Sequence, residues 1–180
     1  MALECCLRSF SQHCASGWSR SQEKSPTAVF ANASLSDIGD SLRTLPAEKR
    51  NDAGFFIGNR IRTCICDNAA EAKAVLRRTM TNYALMPNYR NYWKEAGYVE
   101  EMTAIERAVA EGRADEIARY LPDRWIADIA LFGAAAKIRE GIEAWRAAGI
   151  RTPVLVPFSA DGNQKTALQQ VFVAFADRTR

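Results

Sequence analysis

The sequence predicts an α/β fold in which parallel strands are joined by helices, and two observations carry this prediction. The first is the apolar run Val154, Leu155 and Val156, which has the composition of a strand buried on both faces and therefore needs parallel neighbours on both sides. The second is a strand–loop–helix unit over residues 60–83. The last third of the chain therefore predicts the closing unit of a larger barrel or sheet.

The strand–loop–helix unit is supported residue by residue. Ile61, Thr63 and Ile65 alternate with polar or small residues, which is typical of a strand. Asn68 can accept from the first amides of a following helix while Glu71 reaches back, the arrangement of a capping box. The predicted helix then presents one apolar face, formed by Ala72, Val75, Leu76, Met80 and Tyr83.

Residues 87–149 predict five short helices, a helical insertion between two adjacent strands. Their expected ends are Gly97, Gly112, Pro122, Gly133 and Gly149. Asp123 is the expected N-cap of the fourth helix, with Trp125, Ile126 and Ile129 facing inward. A last helix follows the strand at Val154. We expect Asp161 to cap it and its core face to comprise Leu168, Val171, Phe172 and Phe175.

The chain divides at residue 57 in this interpretation. Residues 1–57 show no lasting helical or alternating period, apart from a possible short helix over residues 36–45. They predict a poorly ordered or atypical leader, either loosely packed or foreign to the sequence that follows. Residues 58–180 form the predicted α/β domain.

Composition excludes several classes of function. The net charge of +3 and the scattered basic residues argue against a nucleic-acid partner. No apolar run reaches the ~20 residues of a membrane span, and no secretory signal is evident, so we expect a cytoplasmic protein without a membrane partner. Five cysteines in such a chain predict reduced thiols. Cys5, Cys6, His13 and Cys14 lack the spacing of a zinc site, and no metal is predicted.

No catalytic signature is present, and His13 is the single histidine, so histidine acid–base catalysis in the α/β domain is excluded. The catalytic and cofactor-binding residues are therefore not assigned. The best candidates for a substrate pocket are aromatic or flexible side chains that give large contact area. They are Tyr83, Met86, Tyr89, Tyr92 and, after the second strand, Phe158. Packing in a helical core is the alternative explanation for this cluster.

Three segments together resemble one known family. They are RIRTCICDNAAEAKAVLRRTM, NYALMPNYRNYWKEAGY and LFGAAAKIREGIEAWRAAGIRTPVLVPFS. In order and spacing they resemble the C-terminal part of the bacterial luciferase-like monooxygenase family, over about residues 60–175. The matching features include the helix from Gly133 to Ile142, the Ala148-Gly149 turn and the strand that ends in Pro157.

The resemblance implies the C-terminal portion, or fragment, of a TIM (β/α)8 barrel with a helical insertion. It further implies an oxidoreductase that uses reduced flavin mononucleotide (FMN) or a deazaflavin coenzyme for monooxygenation or hydride transfer on a small organic substrate. A homodimer is a possible assembly by the same resemblance. Because most of the cofactor contacts of such enzymes should precede residue 60, a non-catalytic helical interaction module or an inactive remnant is the alternative.

Overall fold

The computed structural model describes residues 27–31 and 33–176. The strands are β1 (Thr27–Ala31), β2 (Phe56–Ile65), β3 (Ala130–Gly133) and β4 (Thr152–Phe158). The helices are α1 (Ile38–Arg43), α2 (Ala47–Asn51), α3 (Ala69–Ala84), α4 (Pro87–Glu95), α5 (Val99–Ala110), a 3₁₀ helix (Ala114–Tyr120), α6 (Asp123–Ile129), α7 (Ala135–Ala147) and α8 (Gln164–Phe175).

A parallel sheet is built around β2, and every other strand of the described chain pairs with it. β1 pairs with the first half of β2, and β3 pairs with its second half along the same edge. β4 pairs along the opposite edge, with Gly58 opposite Thr152 and Cys64 opposite Phe158. The sheet is therefore three strand positions wide, and all its carboxyl ends point the same way. The predicted adjacency of the two strands is confirmed, although residues 66–151 separate them.

Helices cover both faces of this sheet. Successive side chains of β3 point to opposite faces. Phe132 lies beneath Lys73 of α3, whose Nζ is 6.0 Å from the ring centroid. Leu131 faces Gly141 of α7, where an added Cβ would lie 2.3 Å from a Leu131 methyl. The predicted α/β class with a parallel sheet is confirmed, but no barrel closes within the described residues.

The helical insertion is held together by a ladder of aromatic rings. Trp93 and Trp125 meet edge to face with centroids 4.7 Å apart, and both side chains are fully buried. Tyr89 lies 5.4 Å from Trp93 and 5.1 Å from Tyr83, so the ladder crosses from α6 through α4 to α3. Rings of this size contribute much of the buried apolar area of a small helical region.

Residues 33–45 of the predicted leader pack against the rest of the fold, which differs from the expectation of a poorly ordered segment there, whereas α2 has no buried side chain. The Leu35 amide donates to the Asp128 carbonyl at 2.8 Å, and the Ser36 hydroxyl donates to the Asp128 carboxylate at 2.7 Å. Ile38 and Leu42 of α1 are buried. The reason is tertiary, because the burial of this segment depends on contacts with residues about 90 positions later. The short helix within residues 36–45 is confirmed, and the division at residue 57 remains a prediction.

Two element boundaries differ from prediction. Residues 130–133 were expected to end the fourth insertion helix, but pairing with residues 62–65 of β2 makes them a strand. Asp123 is the first residue of α6 instead of its cap, which is Pro122. Its carboxylate instead forms ion pairs with Lys73 and Arg77 of α3.

The core face predicted for the last helix is wrong in part, since Phe175 packs against the core and Val171 is half-buried as predicted, but two other residues are not. Leu168 and Phe172 of α8 are exposed, by 43% and 73%, whereas Ala167 and Ala174 are buried. The helix packs through these small residues, and Arg139 of α7 donates to the Ala174 carbonyl at 2.8 Å. Asn163, and not Asp161, provides the side-chain cap, accepting from the Lys165 amide at 2.9 Å.

β4 contains two prolines, Pro153 and Pro157, which lie opposite Asn59 and Thr63 of β2. Within the described residues, β4 has a strand partner on one edge alone. No helix in the described part of the chain combines the length and apolar character needed to cross a lipid bilayer. Cys5, Cys6, His13 and Cys14, for which no metal was predicted, lie outside the described residues.

Replacing Asp128 tests the attachment of the early segment to the insertion. Its carboxylate accepts from the Ser36 amide and hydroxyl and from the Tyr98 hydroxyl at 2.8 Å. We expect Asp128→Ala to lower the free energy of unfolding by about 1–3 kcal/mol, because three donors lose a charged acceptor. Urea denaturation measures this change. Asp115→Ala, at an exposed position, is the matched control and should change the free energy by under about 0.5 kcal/mol; an equal loss in both variants would contradict the assignment.

Candidate functional site

The carboxyl ends of β2, β3 and β4 meet at one edge of the sheet. The Cys66 amide, just after β2, donates to the Gly133 carbonyl at the end of β3 at 3.1 Å, and Phe158 ends β4 opposite Cys64. Helices α3, α7 and α8 all begin at this edge. Their first-turn amides give it a positive electrostatic character.

Two of these three helix starts are capped by side chains. Asn68 accepts from the amides of Ala70 and Glu71, at 3.1 and 3.4 Å, and its own amide group donates to the Glu71 carboxylate at 2.9 Å. This confirms a capping role for Asn68. Asn163 caps α8 in the same way. The start of α7 differs, because its N-cap residue, Ala134, provides no side-chain acceptor.

A buried arginine lies on the sheet face that α3 covers. The Arg62 guanidinium lies 4.3 Å from the centre of the Tyr83 ring, and the residue is 7% exposed. Burial lowers the pKa of Arg62, and the Tyr83 hydroxyl acts in the opposite direction. Because paired residues of parallel strands share a face, Val156 and Phe158 of β4 lie on this same face. Over β4 the face is partly open, since Val154 is exposed.

The five predicted pocket residues fall in three environments. Tyr83 lies beside Arg62, and Phe158, half-buried, belongs to the same sheet face. Tyr89 and Tyr92 are buried in the helical core, where the Tyr92 hydroxyl accepts from the Ser34 amide at 2.9 Å. Met86 is 43% exposed. The structure therefore brings Tyr83 and Tyr89 into contact and leaves Met86 at the surface; their role as a substrate pocket remains a prediction.

Arg62 is the residue that the sequence interpretation missed. In the sequence it looks like the solvent-facing residue of a half-exposed strand, because it alternates with Ile61 and Thr63. The burial of both faces of β2 gives it a different role. The available signal was the predicted parallel sheet itself, since such sheets are covered on both faces and a charged residue within one needs a partner.

The two cysteines of β2 and its following loop differ in environment. Cys64 is fully buried, and burial raises the pKa of its thiol to about 11, with the neighbouring Cys66 acting in the same direction. Cys66 is half-buried, and its Sγ lies 3.9 Å from the Glu71 carboxylate. Among the described residues, no group of three or more His, Cys, Asp or Glu side chains is placed to hold a metal ion.

A parallel sheet with helix amino ends gathered at its carboxyl edge is typical of α/β proteins that bind ligands at that edge. Comparison with known proteins defines the class further. The family model described as luciferase-like monooxygenase matches residues 26–152, and the chain belongs to this family. The match begins within the segment that the sequence interpretation treated as a leader.

One curated relative is similar to part of the chain. It is a Mycobacterium tuberculosis protein named "Putative coenzyme F420-dependent oxidoreductase", and it is 25% identical over 122 residues. The similar segment covers 64% of this chain and 35% of that protein, so the chain spans about a third of the relative's length. No solved structure matches the chain. The family description names a monooxygenase, and the relative's name an oxidoreductase.

The difference between the two thiols can be measured by alkylation. We expect iodoacetamide at about pH 8 to label Cys66 in the native protein and to leave Cys64 unmodified, because Cys64 is buried and only about a thousandth of it is thiolate at that pH. Peptide mapping by mass spectrometry separates the two sites from the other cysteines. Labelling in guanidinium chloride is the control, in which both should react; equal rates in the native protein would contradict the burial of Cys64.

Proposed function

We propose that this chain forms part of an oxidoreductase site that works with reduced FMN or a deazaflavin coenzyme on a small organic substrate. The observation that carries the proposal is the family match over residues 26–152, joined to a parallel sheet whose carboxyl edge collects three helix starts. The name of the curated relative supports a deazaflavin, and the family description supports a monooxygenase. The two chemistries differ in whether oxygen insertion or hydride transfer occurs.

The residues at the carboxyl edge suit such a cofactor. The start of α7 offers first-turn amides that no cap side chain occupies, and amides of this kind favour an anionic group of a ligand. Phe158, half-buried at the end of β4, offers apolar contact to a ring system. When bound, the cofactor supplies the redox chemistry, while residues of the chain orient it and exclude water.

The buried Arg62–Tyr83 pair would act as support for this edge. Arg62 lies two residues before Cys64 in β2, and Cys64 is paired with Phe158 at the end of β4. A shift of Arg62 and Tyr83 would therefore also move the carboxyl ends of β2 and β4. The stacked guanidinium and ring fix α3 against the sheet. We therefore infer a positioning role for the pair, not direct contact with the reacting atoms.

The remaining features of the proposal concern the whole enzyme. We propose that the four strands are part of a larger (β/α)8 barrel in longer members of the family, and that a homodimer is the assembled form. Since the chain spans about a third of the curated relative's length, catalysis on a small-molecule substrate is proposed for the complete assembly.

Cofactor binding by the chain provides the test. We expect either FMN or a deazaflavin coenzyme, at about 100 times its Kd, to stabilise the native state by about 2.7 kcal/mol and to raise the melting temperature by several degrees. The cofactor that produces the shift identifies the chemistry. Differential scanning calorimetry with each cofactor in turn measures it.

Paired phenylalanine variants locate the binding surface. Phe158→Ala should reduce the shift, because it removes the ring at the carboxyl edge, whereas Phe172→Ala, on the exposed side of α8, should leave it unchanged. Equal behaviour of the two variants would argue against this edge as the site. A cooperative melt without a shift from either cofactor would overturn the proposal and favour a non-catalytic helical module.

A further inference from the structure

A basic cleft lies at the opposite end of the sheet from the proposed cofactor edge. It has a volume of about 750 Å³ and is lined by four arginines, Arg43, Arg50, Arg146 and Arg151. Among the described residues that line the cleft none is acidic, although Asp40 and Glu143 pair with two of the arginines from outside the lining. Arg151 directly precedes β4, so the cleft lies at the amino ends of the strands. Ten-residue β2 separates the two ends by about 30 Å.

The geometry points to a binding site for a diphosphate-bearing small molecule in this cleft. Four arginines line one concave surface, and two of them have an acidic partner on their own helix, so the positive charge that remains attracts an anion with several charges. Guanidinium groups also match phosphate oxygens in a bidentate manner, as planar forks. Nothing in the family match or in the curated relative's name assigns a ligand here.

One of the four arginines is held in place by the backbone. Arg151 donates through Nη1 to the carbonyls of Asp52 and Phe55, the latter at 3.0 Å, and through Nη2 to the carbonyl of Arg50. A guanidinium has five N–H groups, so these three bonds fix its position and leave further donors for a ligand. Arg151 therefore forms a rigid wall of the cleft.

The other three arginines of the cleft make fewer or weaker interactions within the protein. Arg50 uses Nε to donate to the Leu45 carbonyl at 3.1 Å, which leaves the outer N–H groups of its guanidinium for other acceptors. Arg146 lies 3.6 Å from Glu143 in a pair on one helix, with both side chains half exposed. Arg43 pairs with Asp40 in the same surface manner. Exposed ion pairs of this type contribute little to stability, so a phosphate group can replace the carboxylate as the partner of the arginine.

Capping of helix ends is the competing explanation. Arg43, Arg50 and Arg146 lie in the last turns of α1, α2 and α7, where a positive charge favours the helix dipole. This role predicts a loss of stability on mutation without any binding of anions. Since these helices connect parallel strands, they all end at the amino edge of the sheet, and capping accounts for the position of three of the arginines. Saturable binding of a multivalent anion is what distinguishes a site from capping.

Calorimetric titration of the full chain with pyrophosphate tests the inference. At about 50 mM salt we expect saturable binding with a Kd below about 1 mM, with orthophosphate binding more weakly because it spans fewer guanidinium groups. Raising the salt to about 300 mM should weaken the binding several-fold, since the cleft is open to solvent. The absence of pyrophosphate binding at the lower salt concentration would overturn the inference.

Charge-matched variants separate a site from a general effect of positive charge. Arg50→Gln with Arg146→Gln should weaken pyrophosphate binding at least about tenfold, whereas Arg78→Gln with Arg107→Gln, at exposed positions of α3 and α5, should change it less than about twofold. Circular dichroism melts show whether each variant is folded. If the double variant unfolds, pyrophosphate binding is measured on Arg146→Gln alone, which changes only a surface pair and should also bind more weakly. Equal losses in the two double variants, or unchanged binding after removal of the cleft arginines, would contradict the proposed site.

Discussion

The pairing of β2 with three other strands is the constraint on which the rest of the structure depends. One edge of β2 accommodates β1 and β3 in succession, and the other accommodates β4. Close approach matters at Gly58, where an added Cβ would lie 2.6 Å from the Phe56 ring and 3.1 Å from the Thr152 carbonyl. A larger residue would therefore require the Phe56 ring to move and the Thr152 carbonyl of β4 to shift slightly. The register between β2 and β4 aligns the strand ends where the proposed cofactor edge forms.

The elements that depend on only a few neighbouring residues were predicted correctly from the sequence. The alternation in β2 and the Asn68–Glu71 cap were recognisable because a strand period and a cap each involve only a few neighbouring residues. The adjacency of β2 and β4 followed from the general need of a buried parallel strand for partners. The class of the fold was predictable on this basis.

The features that depend on distant partners were not predictable. β3 is four residues long, and nothing local separates it from the end of α6; pairing with β2 makes it a strand. The inward face of α8 was predicted from its large apolar residues, whereas small Ala167 and Ala174 allow the closer approach. The candidate pocket residues show the same limit, because aromatic residues at helical spacing suit both a pocket and the ladder that contains Tyr89.

The two ends of the sheet differ in the source of their positive charge. At the carboxyl edge it comes from backbone amides at the starts of α3, α7 and α8. At the amino ends it comes from arginine side chains near the ends of α1, α2 and α7. Amide dipoles act at short range and in a fixed direction, whereas guanidinium charges are full and adjustable. Backbone amide dipoles are therefore suited to orienting a bound ligand, whereas guanidinium charges are suited to attracting one.

The prolines of β4 bear on how the sheet can grow. Residues 153 and 157 have the same parity along the strand, so their backbone positions face the same edge, and neither has an N–H group. Prolines in sheets occur where their missing N–H group is not needed for strand pairing. The two missing N–H groups therefore lie on the edge of β4 that faces away from β2. Between the two prolines, that edge offers a single amide, at Leu155. Uncontrolled addition of strands from other copies of the chain is thereby disfavoured, and a strand that closes a barrel there must donate most of the hydrogen bonds itself.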